Sequence, residues 1–162
     1  MATDEQFRLR VIRDIDPAFG TVTSPDDEHL LHPRCMDDGD IADFYGQPDP
    51  YALSDEVLIR NYAAPSFFSA KAFRYYMPAF MRWSLKHPDS IEYVVESTLH
   101  AFDPGPECAW LRDFQLSKFA LFDAAQRCAV VGFLEFFEAD ADLGPLAAAA
   151  LAHHWRLPAA DD

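Results

Sequence analysis

Apolar and polar side chains alternate with a helical period through the middle of the chain, most clearly between residues 67 and 83. Aromatic and apolar residues recur there every three or four positions, as on a helix that is buried on one face. The positions on that face are Phe73, Tyr76, Met77 and Phe80, with Trp83 beyond them. Pro78 lacks an amide hydrogen and its ring clashes with the carbonyl of Arg74, so we expect a kink or a break there.

Helical patterns also flank this central helix. Phe7, Val11 and Ile15 are four residues apart, which predicts an N-terminal helix over residues 1–16 that is ended by Pro17 and Gly20. On the other side, residues 51–157 are predicted to form the helical core.

Several signals divide that core into helices. Ser54 is a typical N-cap for a short helix, a longer helix is expected over residues 123–138, and a last one begins at Gly144 and ends near Trp155. Two buried faces are predicted. The first comprises Ile91, Val94, Val95, Thr98, Leu99 and Phe102. The second comprises Phe122, Gln126, Ala129, Val130, Phe133 and Phe137.

The sequence therefore predicts an all-α protein, a single-domain helical bundle with a long acidic N-terminal loop and a proline-kinked central helix. We find no convincing strand pairing and no internal repeat. The 162 residues are a usual size for one domain, and half of them are hydrophobic, so a well-packed core is expected.

Residues 17–50 interrupt the helical pattern and are predicted to form an irregular acidic loop. Five prolines and three glycines break this stretch. The first 56 residues carry 14 acidic against 4 basic side chains. Because long loops without secondary structure are uncommon in compact domains, this one is expected either to be functional or to contain short elements.

The net charge of −14 limits the classes of partner. Charge of this sign opposes direct binding to nucleic acid and to anionic membranes, and it favours a basic partner or no charged partner at all. Cys35, Cys108 and Cys128 are an odd number without a disulfide framework, and neither a signal peptide nor a membrane-spanning run is visible. These features predict a cytoplasmic protein with reduced thiols.

The acidic loop contains the candidate binding residues. Carboxylates at this density can bind calcium, but the glutamate and flanking helices of an EF-hand are missing. The remaining interpretations are a merely solvated loop and a docking surface for lysine and arginine side chains, with tyrosines as anchors. The partner-binding residues that we expect are Asp37, Asp38, Asp40, Asp43, Tyr45 and Tyr51.

Metal and catalytic motifs are weak or absent. His29, His32 and Cys35 have the spacing of zinc ligands on a helix, but Pro33 interrupts that helix and no fourth ligand follows. No nucleophile, phosphate-loop or dinucleotide motif occurs, so we expect no enzymatic activity, no metal and no cofactor. Two alternatives stay open, namely a small-molecule or enzymatic pocket around Arg74 and a regulatory homodimer.

Two motifs carry a resemblance to a known family. Residues 72–79 read Ala-Phe-Arg-Tyr-Tyr-Met-Pro-Ala, and residues 126–134 contain a Gln-x-x-x-Val-x-x-Phe-Leu pattern, with Trp155 near the end. Over roughly residues 40–156 the chain resembles a family of small uncharacterised bacterial proteins. The resemblance implies a small bacterial helical domain, and it transfers no catalytic residue because the family has no agreed activity.

Small acidic helical proteins of bacteria often resemble immunity proteins, which neutralise a toxin. The leading hypothesis is therefore a non-enzymatic immunity protein. It would bind a cognate basic toxin domain, for example a nuclease with a basic groove, by acidic surface complementarity. It would bind neither nucleic acid nor membrane directly, and the sequence leaves its oligomeric state open.

Overall fold

The computed structural model describes residues 2–47 and 49–157, and these residues form one compact all-helical domain. The predicted fold class is confirmed. The α-helices are α1 (Ala2–Phe19), α2 (Asp55–Arg60), α3 (Ala70–Lys86), α4 (Val94–Ala101), α5 (Arg112–Phe119), α6 (Ala124–Glu138) and α7 (Gly144–Ala150). A π-helical turn, Leu151–Trp155, continues α7. Short 3-10 helices lie at Asp27–His29, Gly39–Phe44, Pro50–Ala52 and Ala64–Ser66.

Helix α3 is the centre of the bundle. Ser69 caps it through a hydrogen bond from the amide of Ala72 (3.1 Å), and the helix then continues without a break through Pro78. It packs against α1, α4 and α5, and α1 also packs along α6. The predicted face of α3 is buried, with Phe73, Met77 and Phe80 fully inaccessible.

The π-helical turn Leu151–Trp155 closes one end of the core. The indole N–H of Trp155 donates to the carbonyl of Phe102 (2.7 Å). The Trp155 ring also packs against the rings of Phe102, Phe119 and Phe122, with centroid distances of 4.9–5.8 Å. These contacts join α4, α5 and the start of α6 to residue 155.

The first helix is longer than predicted, because α1 continues to Phe19 with Pro17 inside it. Pro17 removes the hydrogen bond to the carbonyl of Arg13, but its fixed φ is compatible with a helix, so the helix continues to Phe19. The amide of Gly20 donates to the carbonyl of Asp16 (2.8 Å), and a Cβ at Gly20 would lie 2.8 Å from that same oxygen. Of the two residues expected to end α1, Gly20 does so and Pro17 does not.

Two local predictions in the second half differ from the structure. Ile91 was expected on a buried face but is 97% exposed, because α4 begins only at Val94. Helix α5 was not predicted. Its apolar residues do not repeat at a clear helical period, and its fully buried members include Lys118, a residue type that is usually exposed.

Candidate functional site

The acidic loop is ordered by a 3-10 helix that packs onto α3. In this helix, Gly39–Phe44, the side chains of Ile41 and Phe44 are fully buried. The Phe44 ring lies 4.9 Å from the ring of Phe68 and 5.0 Å from that of Tyr76. The Tyr76 hydroxyl donates to the carbonyls of Phe44 (3.3 Å) and Gln47 (2.8 Å). Packing of buried side chains and hydrogen bonds to backbone carbonyls therefore both hold this segment in place.

Three of the predicted acids lie exposed at the start of this 3-10 helix or directly before it. Asp37 accepts a hydrogen bond from the amide of Gly39 (2.9 Å), and Asp38 accepts one from the Tyr45 hydroxyl (3.1 Å). Asp40 is exposed in the first turn of the 3-10 helix. Burial and the neighbouring Asp38 carboxylate raise the pKa of Tyr45. The structure thus brings Asp37, Asp38, Asp40 and Tyr45 together.

Asp43 has a different role, because its carboxylate is used inside the protein. It accepts hydrogen bonds from Asn61 Nδ2 (2.7 Å) and Arg60 Nε (2.9 Å). These two bonds, that of Asn61 first, lower the pKa of Asp43. The carboxylate connects residues 37–47, which we call the acidic segment, to the end of α2. Asp43 therefore helps to position this segment rather than to form its outer surface.

Tyr51 is held by α1 and α3 rather than by the acidic segment. The guanidinium of Arg82 lies 5.0 Å from the centre of the Tyr51 ring, and Arg82 forms an ion pair with Asp16. Burial of the hydroxyl, reinforced by the charge of Asp16, raises the pKa of Tyr51 to about 12. The six predicted residues therefore do not act as one group.

The structure adds residues that the sequence analysis did not select. Met36 is fully exposed directly before Asp37, and Asp27 and Glu28 are exposed in the first 3-10 turn. Asp27 accepts a hydrogen bond from the amide of Gly46 (3.1 Å), which places that turn beside the end of the acidic segment. We call the set Asp27, Glu28, Met36, Asp37, Asp38 and Asp40 the acidic surface.

Both histidines of the candidate zinc site have other partners, and Cys35 is a half-buried free cysteine. His29 is paired with Asp26, and this interaction lowers the pKa of the Asp26 carboxyl. The His32 ring packs 4.3 Å from Phe114, and burial followed by the nearby Lys118 charge lowers its pKa. Across residues 2–47 and 49–157, no three His, Cys, Asp or Glu side chains form a group that could hold a metal.

A buried lysine lies next to His32. Lys118 is fully inaccessible, and its ammonium donates to the carbonyls of Ser66 (2.8 Å) and Pro65 (3.1 Å). The same ammonium lies 4.5 Å from the centre of the Phe114 ring. Burial lowers the pKa of Lys118 to about 8. These contacts tie α5 to the turn before α3, which is a structural role.

The alternative pocket around Arg74 is only partly formed. Arg74 and Lys71 line a cleft of about 390 Å³, but Tyr75 and Tyr76 are buried in the core. Arg74 Nε donates to Gln126 Oε1 (2.9 Å), and its terminal nitrogen lies 3.8 Å from the carboxylate of Asp123. Arg74 therefore contributes mainly to packing between α3 and α6.

In the part of the chain that the structure describes, no helix has the length and apolarity needed to cross a membrane. Searches of curated proteins and of solved structures found no match to the chain. The model of one family, described as "Family of unknown function (DUF6714)", matches residues 9–158. Because this match covers nearly the whole sequence, the chain belongs to the DUF6714 family.

Proposed function

We propose that this protein is a non-enzymatic, cytoplasmic immunity-type protein that binds a basic toxin domain and neutralises it through the acidic surface. One observation carries the proposal. Asp37, Asp38 and Asp40 project from a backbone that Ile41 and Phe44 fix in the core. A charged surface whose backbone is already held by core contacts loses less conformational entropy when a partner binds, which favours affinity.

Electrostatics supports a basic partner. Between residues 26 and 43 the chain has seven acidic side chains and one basic side chain, Arg34. A cluster of charges of one sign accelerates association with an oppositely charged surface, and it disfavours partners whose surface has the same charge. The nucleic-acid groove of a nuclease is a natural target of this kind, since its lysines and arginines already bind phosphates.

Met36 supports binding to a protein rather than to free cations. Its thioether side chain is fully exposed at the start of the acidic run. Methionine adapts its shape to a partner, and it is enriched at protein interfaces. We propose that Met36 is the apolar anchor of the interface, surrounded by the carboxylates that supply specificity.

The first test is capture of the partner. The tagged protein is incubated with a lysate of its native cells at low and at high salt, and bound proteins are identified by mass spectrometry. We expect one stoichiometric basic protein whose binding weakens with salt. The captured protein is then expressed alone, where it should arrest growth, and together with this protein, where growth should recover.

A matched pair of charge variants assigns the activity to the acidic surface. The variant D37N/D38N/D40N removes three charges from it, and E92Q/E107Q/D142N removes three exposed charges elsewhere. Only the first variant should lose protection against the captured protein. Equal protection by both variants would rule out this surface, and a captured protein without toxicity would rule out the immunity function.

A further inference from the structure

A groove of about 780 Å³ lies along the helix pair α1 and α6. Its walls are mainly apolar, and small residues form much of the α6 side, namely Ala125, Cys128, Ala129 and Gly132. Four charged residues also line the groove, two basic and two acidic. They are Arg10, Asp14, Arg127 and Glu135. None of the acidic-surface residues lines the groove, so the following argument does not depend on the proposed function.

The two helices run antiparallel, and two contacts show which of their residues lie side by side. The Phe7 ring packs against that of Phe136, with 6.4 Å between the ring centres. One turn further along α1, a Cβ at Gly132 would lie 3.4 Å from Val11 Cγ2. A step of four residues forward on α1 thus corresponds to a step of four residues backward on α6.

This alignment relates the charged residues of the two helices. Arg10 and Asp14 are about one turn apart on α1, and their midpoint is position 12. Arg127 and Glu135 are about two turns apart on α6, and their midpoint is position 131. Because Val11 lies beside Gly132, the two midpoints are at the same height along the helix pair. One two-fold axis that crosses both helices at this height therefore exchanges the positions of Arg10 and Asp14 and also those of Arg127 and Glu135.

We infer that the groove is the interface of a homodimer, in which this two-fold axis relates the two copies. Helix α1 then faces the antiparallel α1 of the other copy, and α6 faces α6. Arg10 of each copy lies opposite Asp14 of the other, and Arg127 lies opposite Glu135. A two-fold interface needs such a self-complementary surface, and every contact in it occurs twice.

The charges that line the groove can form these pairs. Arg10 stacks on Phe7 (4.7 Å) and Arg127 on Trp155 (5.1 Å), and neither arginine has a carboxylate partner among the residues that the structure describes. The carboxylate of Asp14 is paired only with its exposed neighbour in sequence, at 3.6 Å. Such pairs between exposed side chains contribute little to stability, so a second copy can replace them at small cost.

The balance of charge also favours this face for self-association. The chain carries a net charge of −14, so two copies repel each other over most approaches. The groove has as many basic as acidic residues along its length, so it adds no repulsion of its own. The alternating signs match a second copy better than a ligand or a partner surface with charge of one sign.

The apolar residues agree with the same axis. Half-buried Phe7 lies at one end of the groove, whereas Pro17, Ala18 and Ala125 line the other end. The two-fold rotation brings the Phe7 ring of each copy to the small residues of the other. An aromatic ring that fills a depression buries apolar area, and symmetry makes this happen at both ends of the interface.

The test measures self-association of the purified protein by sedimentation equilibrium over a range of concentrations. We expect the wild type to dimerise reversibly. Arg10→Asp and Asp14→Arg each turn two attractive contacts of the dimer into two repulsive ones. Each should therefore raise the dissociation constant of the dimer at least tenfold. Both positions are exposed, and far-UV circular dichroism checks that the variants remain helical.

Mixing the two variants tests the arrangement itself. In a mixed dimer, positions 10 and 14 carry opposite charges at both contacts, so the mixture should dimerise although neither variant does so alone. Arg13→Asp is the matched control, because it makes the same charge change on the same helix outside the groove. It should dimerise like the wild type. Arg127→Glu and Glu135→Arg repeat the comparison on α6, alone and mixed.

Three results would overturn the inference. A wild type that stays monomeric at every concentration would show that no second copy occupies the groove. A dimer that Arg10→Asp and Glu135→Arg leave intact would use another face of the molecule. Folded variants that remain monomeric when mixed, on both helices, would exclude the two-fold arrangement. Recovery of the dimer in the mixtures would support it, because only opposite charges at these facing positions explain that recovery.

Discussion

Arg74 and Gln126 are 52 residues apart in sequence and joined by a hydrogen bond of 2.9 Å. Gln126 is almost fully buried, and its side-chain oxygen also accepts from the amide of Asp123 (3.0 Å) while its nitrogen donates to the carbonyl of Ala18 (3.1 Å). One amide side chain thus connects α3, α6 and the end of α1. The two sequence motifs that suggested the family are in contact at this point.

We expect Gln126→Ala to lower the free energy of unfolding by about 2–4 kcal/mol, because it removes the side-chain half of the capping box of α6 and leaves buried polar groups unpaired. Urea denaturation measures the loss, with the exposed Gln6→Ala as the control. Combined with Arg74→Ala in a double-mutant cycle, it should give a coupling energy of about 1–2 kcal/mol. Strictly additive effects would contradict the contact.

Lys118 should make stability depend on pH in the alkaline range. Its pKa is about 8 in the folded protein, against about 10.4 in an unfolded chain. Between these values the unfolded chain holds the proton and the folded protein does not. The contribution of Lys118 to stability therefore rises as the pH rises through this window.

Lys118→Met keeps much of the volume and removes the titration. We expect the unfolding free energy of the wild type, relative to that of the variant, to increase by about 2 kcal/mol between pH 7 and pH 10. Comparing the two proteins removes the contribution of the tyrosines, since both contain them. A constant difference over this range would show that the ammonium titrates normally.

Tyr76→Phe should loosen the acidic segment while leaving the core filled. The variant loses the hydroxyl that donates to the carbonyls of Phe44 and Gln47. We expect a loss of about 1–2 kcal/mol and faster hydrogen exchange at the amides of residues 41–47. Tyr62→Phe, at an exposed ring, is the control. Unchanged exchange would mean that apolar packing alone holds the segment.

Met36→Ala should affect partner binding and not stability. The side chain is fully exposed, so the melting temperature should remain within error. If Met36 anchors the partner, affinity should fall about tenfold, as for a moderate interface hot spot. Ile91→Ala is a matched control, because Ile91 is 97% exposed and lies outside the acidic surface. Equal effects of the two substitutions on affinity would exclude an anchoring role.

Local periodicity was sufficient to predict much of the fold. All six residues predicted on the inner face of α6 and its approach, from Phe122 to Phe137, are buried. Ser54 caps α2, and the last helix begins at Gly144 as expected. These features depend on neighbours within a few positions, which a single sequence displays directly.

The candidate site was harder to predict because it depends on pairing between distant residues. Nothing in the local sequence shows that Asp43 is bound by Arg60 and Asn61 while Asp40 remains exposed. The same applies to Tyr51, whose ring is held by Arg82. Met36 could have been noticed as an apolar residue in a polar run, but its full exposure follows only from the packing around it.

The contact between Trp155 and Phe102 also has a consequence for biosynthesis. A ribosome makes Phe102 well before Trp155, so during that interval the indole ring does not yet cover its side of Phe102, Phe119 and Phe122. Val11 on α1 likewise lacks its neighbour Gly132 until α6 has been made. Partly made chains that expose apolar surface are prone to aggregation. The nascent polypeptide should therefore depend on chaperones until residue 155 has emerged, and then fold cooperatively.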